Sequence, residues 1–334
     1  MIPISKFVAD QRTYDLCMSV LESGRLSAGP MVEHFEELVA DISGCEYAVA
    51  VNNGTTALEA MLRAVDVKNK IVVTSPLTFR ATGQAIRHAG GTPIFADVDQ
   101  DTLNLKSSAY GDYMVPVDLY GRKNDHTGKN VFCDAAQSIG LDHSGSRCAS
   151  ISFYTGKNVG AGEGGAIVTN DRNIAEKIRL WRNQGMAAQY EFVSGQGWNW
   201  RMTEMSAAIA IPQLERIKED NALRSRIAWV YDCEFRKVDH LTIPSWDDKN
   251  MVWHQYTLRH PKRNIIVRRL NEEGIEARIY YPRLISPEHA WDQTPVAFKA
   301  TQEIFSIPVH HHLTSDEVKY ITETLLKVVK EVEA

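Results

Sequence analysis

ISFYTGKNVGAGEGGAIVTN, residues 151 to 170, sets Lys157 between a strand-like start and a glycine-dense loop that returns into a second strand. Glycines stand at 156, 160, 162, 164 and 165, more than turn punctuation needs. Lacking side chains, they let the backbone pass close to a bound group. A lysine at the edge of such a loop, turned inward and desolvated, has a lowered pKa and becomes a usable nucleophile and base. The plainer alternative is a solvated surface lysine beside a flexible loop, and only its neighbours decide between the two. G-x-G patterns also occur in dinucleotide-binding turns, but there the glycines follow a strand and open a helix, whereas these precede a strand.

Three other stretches could supply those neighbours. VFCDAAQSIG, residues 131 to 140, puts Asp134 at the C-terminal end of an apolar strand, followed by two alanines and Gln137. In open α/β sheets ligands bind at the carboxyl ends of strands, so Asp134 either faces a protonated ring nitrogen or caps a helix. AVAVNNGTTAL, residues 48 to 58, runs from a strand through Gly54, Thr55 and Thr56 into a helix. Unpaired N–H groups and the positive end of the helix dipole suit an anion there, although an ordinary cap with a turn glycine reads the same way. Phe79, in SPLTFRATGQAI, follows a strand end and either stacks on a flat ligand or packs in a loop.

Short β-branched runs at 47–51, 71–74, 93–98, 114–117, 131–133 and 166–169 alternate with helical patterns, which predicts an α/β layer with a mainly parallel sheet. The first helix shows one apolar face, Leu58, Met61, Leu62 and Val65. Another helix begins at Thr203 and meets Pro212, a kink or break, before the chain leaves this layer. Thr314 and Glu317 form a capping box ahead of a stripe of Val318, Ile321, Leu325, Val328 and Val332, read as a docked C-terminal helix.

The 334 residues carry 37 basic and 42 acidic groups, a net charge of −5 that gives no nucleic-acid signal. As a prior, this length suggests roughly two domains. Five scattered cysteines with no zinc-pair spacing point to a reducing, cytoplasmic setting. The polar N-terminus has no signal-peptide core, and no run of apolar residues is long enough for a membrane span. His310, His311 and His312 invite a metal reading, but three adjacent histidines cannot all point one way, and no metal is expected. Trp198 and Trp200 are read as interface or core packing.

Taken together, an anion-binding helix start, a strand-end aspartate, an aromatic and a lysine in a glycine-rich loop describe a pyridoxal phosphate site. In TFRAT, PIFADVD, PVDLYGR, DAAQS, SFYTGKN, GEGGAIVTND, NWRMTEMSAA, GIEARIYYP and IPVHHHLT, the sequence resembles the DegT/DnrJ/EryC1/StrS family of sugar aminotransferases over nearly its whole length. The resemblance implies the type I fold of pyridoxal-phosphate-dependent transferases, like that of aspartate aminotransferase. A large α/β domain with a mainly parallel sheet would span residues 1–215, and a smaller α+β domain residues 216–334. It implies that Lys157 bonds covalently to the cofactor's aldehyde, that Asp134 pairs with the pyridinium nitrogen, that Gln137 lies near the ring hydroxyl and that Phe79 stacks on the ring. Gly54, Thr55, Thr56 and Ser152 would hold the phosphate, and Asn199, in WNWRM, would reach the phosphate of a neighbouring copy in a homodimer. Tyr280 and Tyr281 would line the sugar pocket, although strand packing also accounts for them.

By the same resemblance the reaction moves an amino group from glutamate or glutamine to a keto sugar, nucleotide-linked, toward an amino sugar of a surface polysaccharide or secondary metabolite. The sequence departs from the family pattern with Gln184 in RNQG, a substrate-side position, with Thr155, and with a short stretch between Leu105 and Val131 that predicts a trimmed large domain. Motif flavour does not choose between amination at C3 and at C4. Two other readings are a sugar dehydratase of the same fold, which Lys157 opposes because such members carry histidine there, and a non-catalytic module binding the cofactor or a sugar nucleotide.

Overall fold

In the computed structural model, which describes residues 1–106, 108, 110–245, 247 and 249–333, the β-branched runs become strands of one sheet. Helices α1 (Gln11–Ser23) and α2 (Pro30–Ile42) lead into β1 (Tyr47–Val51), α3 (Gly54–Ala64), β2 (Ile71–Thr74), α4 (Arg80–His88), β3 (Thr92–Phe95) and β4 (Tyr113–Val115). Next come β5 (Gly128–Asp134), β6 (Ser146–Ser152), β7 (Gly165–Thr169), α5 (Arg172–Arg182), the short pair β8 (Met186–Ala188) and β9 (Glu191–Phe192), and α6 (Glu204–Glu215).

Seven strands lie in the order β1-β7-β6-β5-β4-β2-β3. Only β7 runs against its neighbours, pairing antiparallel with both β1 and β6. The strands alternate between two cores, which explains their near-continuous apolar runs. Val49 and Val51 pack with Leu58, Met61 and Ile86, and Ala48 and Ala50 with Phe35, Val39, Ala207 and Ile211 on the other face. Between Leu105 and Val131 the described residues contain β4, a single 3-10 turn at Leu119–Gly121 and no α-helix, in keeping with the short sequence there. The strands predicted at 93–98 and 114–117 are shorter than expected, ending at Phe95 and Val115.

Thr203 caps α6 by accepting from the Ser206 N–H at 3.1 Å. Pro212 sits inside that helix, one turn before its end. There the chain turns at Arg216 into α7 (Ile217–Phe235), followed by β10 (Tyr256–Arg259), α8 (Arg263–Glu272), α9 (Pro295–Glu303), β11 (Ile304–Ile307) and α10 (Ser315–Glu333). All but α9 share a second core in which Tyr231, Phe235, Trp253, Tyr256, Phe305 and Leu325 are buried together, whereas Ala297 and Ala300 of α9 pack with Leu77, Val98 and Leu119 of the first layer. The capping box forms as expected, the Thr314 N–H donating to Glu317 Oε2 at 2.8 Å and the Glu317 N–H to Thr314 Oγ1 at 3.2 Å. The N-terminus joins this second layer, with Ile2 bridging Ile275 and the Ile4 N–H donating to Glu276 Oε2 at 2.8 Å. No helix among the described residues is long and apolar enough to cross a membrane.

Candidate active site

The site forms where β1, β5 and β6 end and β7 begins. Asn53 caps α3, its Oδ1 accepting from the Thr56 N–H at 2.8 Å, so the N–H groups of Gly54 and Thr55 in the first turn face no helical carbonyl. Gly165 pairs with both Val51 and Ser152, which lays the start of β7 against the start of α3. A Cβ on Gly54 would stand 2.7 Å from Ser152 Cβ, and one on Gly165 would overlap the Asn53 carbonyl. Glycine at both positions therefore keeps open a cradle of backbone donors flanked by the Thr55, Thr56 and Ser152 hydroxyls, suited to a phosphate. We expect Gly165→Ala to destabilise the fold by about 3 kcal/mol, because backbone rather than a flexible side chain must yield, and to weaken phosphate-dependent cofactor retention. Thermal melts and equilibrium dialysis check both effects.

Asp134 ends β5, 3 % exposed. Its Oδ2 accepts from Thr82 Oγ1 at 2.7 Å and its Oδ1 from the Ala136 N–H at 3.2 Å. Burial pushes its pKa above the usual carboxylate range, while these donors and the charge of Lys157 pull it down. Thr82 belongs to α4, the helix that begins just after Phe79, and the Phe79 ring stands 63 % exposed. Gln137 is held at both ends, Oε1 accepting from the Tyr120 N–H at 2.8 Å and Nε2 donating to the Tyr281 hydroxyl at 2.9 Å. Tyr281 is buried and Tyr280, partly buried, lies beside it with ring centres 6.4 Å apart.

Lys157 follows β6 in a loop that is locked rather than flexible. The Phe153 N–H donates to the Gly164 carbonyl at 2.9 Å, the Ala161 N–H to the Phe153 carbonyl at 2.8 Å, and Gln213 of α6 bonds both backbone groups of Gly160. The Lys157 side chain keeps some exposure but is densely surrounded by protein. Desolvation lowers its pKa to about 8, against the opposing pull of Asp134. The surface-lysine alternative does not describe this environment. The structure thus brings Gly54, Thr55, Thr56, Ser152, Asp134, Gln137, Tyr281 and Lys157 to one end of the sheet.

Gln184 and Asn199 lie on the segments between α5 and α6, both exposed, joined through the Asn183–Asn199 bridge. Gln184 has a positive φ of 60° and its N–H serves the Trp181 and Trp198 carbonyls. No contact among the described residues ties either one to Lys157 or Asp134. Trp198 and Trp200 stack with centres 4.4 Å apart, and Trp200 is part of the core, which settles their packing role.

Sequence reasoning passed over Thr82, and over His254, whose Nδ1 meets the Oδ1 of Asn158, the residue after the lysine, at 3.0 Å. The nearest signal for Thr82 was its place one turn into the helix after Phe79. His254 gave none beyond being a histidine in an apolar run. Among the described residues Asp118, Cys133 and His143 bring metal-type donors together. Asp118, however, already accepts from Ser138 Oγ at 2.6 Å and from the N–H and Nδ2 of Asn124 at 2.9 and 2.6 Å, and burial keeps the Cys133 thiol protonated. The trio is a buried structural clamp. In the histidine tract, His310 Nε2 meets the Pro3 carbonyl at 3.1 Å.

A phosphate cradle, a carboxylate at a strand end and an amine of lowered pKa fit pyridoxal phosphate by the donor set alone. A model of the DegT/DnrJ/EryC1/StrS aminotransferase family matches residues 9–326. UDP-2-acetamido-2-deoxy-3-oxo-D-glucuronate aminotransferase of Pseudomonas aeruginosa is 31 % identical, with 92 % of this chain and 93 % of that protein covered. The dTDP-3-amino-3,6-dideoxy-alpha-D-galactopyranose transaminase of Aneurinibacillus thermoaerophilus is 33 % identical, with 92 % of each covered. The crystal structure of NtdA from Bacillus subtilis with bound cofactor PMP superposes with a TM-score of 0.87 at 25 % identity, over 96 % of this chain and 82 % of that one. On these grounds the chain belongs to the DegT/DnrJ/EryC1/StrS aminotransferase family, and its cofactor is pyridoxal phosphate.

Proposed function

We propose that this enzyme moves an amino group from glutamate or glutamine to a nucleotide-linked 3- or 4-keto sugar, with Lys157 as the catalytic amine. The observation that carries the reading is the meeting of opposite charges at the carboxyl end of the sheet: Asp134, buried at the end of β5, and Lys157, in the loop after β6 with its pKa lowered to about 8, each shift the other's titration. When bound, pyridoxal phosphate supplies an electron sink for the bond to be broken at the amine-bearing carbon.

Each residue's part follows from its surroundings. Asp134 would pair with the cofactor's ring nitrogen and favour its protonated form, and that cation would in turn offset the burial that raises the carboxylate's pKa. Gln137, fixed at both ends, would offer its amide to the ring hydroxyl, and the exposed Phe79 would stack on the ring. Gly54, Thr55, Thr56 and Ser152 would hold the phosphate. Lys157 holds a proton that it can give up or take back near neutral pH, which suits it to carry that proton between substrate carbon and cofactor carbon.

Tyr280, Tyr281 and Gln184 are assigned to the substrate side. Asn199, exposed on its loop, is free to reach the phosphate of a second copy, which supports a homodimer with shared sites. Both nucleotide-sugar relatives bear a C3 function in their names, which supports a keto sugar without fixing its carbon.

Enzyme loaded with the amine form of the cofactor and mixed with a panel of 3-keto and 4-keto nucleotide sugars should return the aldehyde absorbance and release an amino sugar with at least one of them. Inertness toward the whole panel, with no spectral response to glutamate or glutamine in the reverse loading, would favour a binding module instead.

A further inference from the structure

A basic cleft opens beside Phe79, between α4 and the segment that follows Tyr281. On α4, Arg80, Gln84 and Arg87 recur at helical spacing and share one face. Arg283, Leu284 and Trp291 form the other wall. The cleft has a volume of about 440 Å³, within the usual range for a small-molecule site.

Its walls are fixed by the fold. The Ile285 N–H donates to the Pro76 carbonyl at 2.9 Å, which ties the second wall to the loop after β2. Leu284 is buried with Leu77, and Trp291 donates from Nε1 to the Ser286 carbonyl at 3.1 Å. The first wall is tied to the active site by Thr82 of α4, whose hydroxyl donates to Asp134.

The charges along the cleft do not balance. Arg80 has no hydrogen bond or ion pair among the described residues, and Arg87 meets the Gly83 carbonyl of its own helix at a long 3.4 Å. Arg283 faces Glu288 at 3.8 Å, but these side chains are 78 % and 75 % exposed, and water screens such a pair. Glu288 is the one carboxylate set against three guanidiniums in this lining. A guanidinium fork matches the oxygens of a phosphate in pairs. Arg80 and Arg87 stand about 10 Å apart along the helix, too far for one carboxylate to engage both, whereas linked phosphates on an extended ligand present oxygens to forks on both walls. Trp291 adds an aromatic surface of the kind on which nucleobases stack.

We propose that this cleft is the subsite for the diphosphate of the sugar substrate, held by Arg80, Arg87 and Arg283. The proposal rests on the reading that the amino acceptor is nucleotide-linked. It also gives the substrate a direction: the sugar lies by the Phe79 ring, and the nucleotide leaves along α4 toward Trp291.

The test uses holoenzyme in its amine form, so that the cofactor's own phosphate already fills the α3 cradle. Titrated by calorimetry with UDP, dTDP and GDP, and with the matching nucleosides, it should bind at least one diphosphate about tenfold or more tighter than its nucleoside, and less tightly as sodium chloride is raised. Arg80→Gln and Arg87→Gln should each weaken that diphosphate about tenfold, the worth of one charge-assisted hydrogen bond, and Arg80→Lys should recover part of the loss. With a keto nucleotide sugar that the enzyme converts, the two glutamine variants should raise KM by about the same factor and leave kcat nearly unchanged, the mark of lost uniform binding. Arg226→Gln, which removes an exposed charge on α7 outside this cleft, should alter neither quantity. A nucleotide sugar converted with the same KM by wild type and both glutamine variants would overturn the subsite alone. Wild-type enzyme inert toward every keto nucleotide sugar and binding none of the three diphosphates would overturn the nucleotide-linked reading, and the subsite with it.

Discussion

Lys157→Ala should slow the conversion of bound pyridoxal phosphate to its amine form by about 10⁴-fold, the upper range for losing a positioned acid-base group. The substitution removes the covalent tether as well, so borohydride should no longer fix the cofactor to the chain. The fold should survive. The loop is held by the Phe153–Gly164 and Ala161–Phe153 backbone bonds and by Gln213, none of which uses the lysine side chain. Asp134 keeps its bonds from Thr82 and the Ala136 N–H. Lys157→Arg should be nearly as inactive, because a guanidinium stays protonated and cannot cycle a proton. Stopped-flow absorbance reads the rates, and circular dichroism melts show whether the protein remains folded.

Asp134→Asn should cost about 10²- to 10³-fold in the same half-reaction, the usual effect of deleting one preorganised electrostatic partner. The asparagine can keep its Oδ1 on the Ala136 N–H and donate from Nδ2 to the Thr82 hydroxyl, so packing is preserved and the loss is one of charge. Its sign on the lysine can be worked out. Burial holds Lys157 down to about 8 and Asp134 holds it up, so removing the carboxylate's charge must lower that pKa further. In cofactor-free protein the Lys157 amine, followed by NMR after reductive methylation, should therefore lose its proton at a more acidic pH in Asp134→Asn than in wild type. An unchanged or raised value would place the two groups out of electrostatic contact.

What the sequence made readable was local. Strand β1 running into α3, Asp134 at the end of an apolar strand and Lys157 among glycines each declare themselves within a few residues, because burial and backbone freedom leave marks on composition. The capping box at Thr314 and Glu317 was legible for the same reason. Contacts that join distant segments were not. Thr82 looks like any hydroxyl in a helix until β5 brings Asp134 against it. His254 and Tyr281 come from the second layer, and no spacing in the chain tells that one meets Asn158 and the other Gln137. The locking of the lysine loop by Gln213 was equally hidden: five glycines read as freedom, whereas a distant helix pins the loop at Gly160.

The reversed direction of β7 has a bearing on how the protein comes to exist. Its pairing with β6 links near neighbours in the chain, but its pairing with β1 joins segments far apart, and a contact of that kind forms only after a large entropic cost of closure. The anion cradle lies on that second seam, where Gly165 meets Asn53 and Gly54. A nascent polypeptide still short of Thr169 would therefore possess every group of the α3 terminus and yet have no competent pocket, so coenzyme capture must await, and would report, closure of the central sheet.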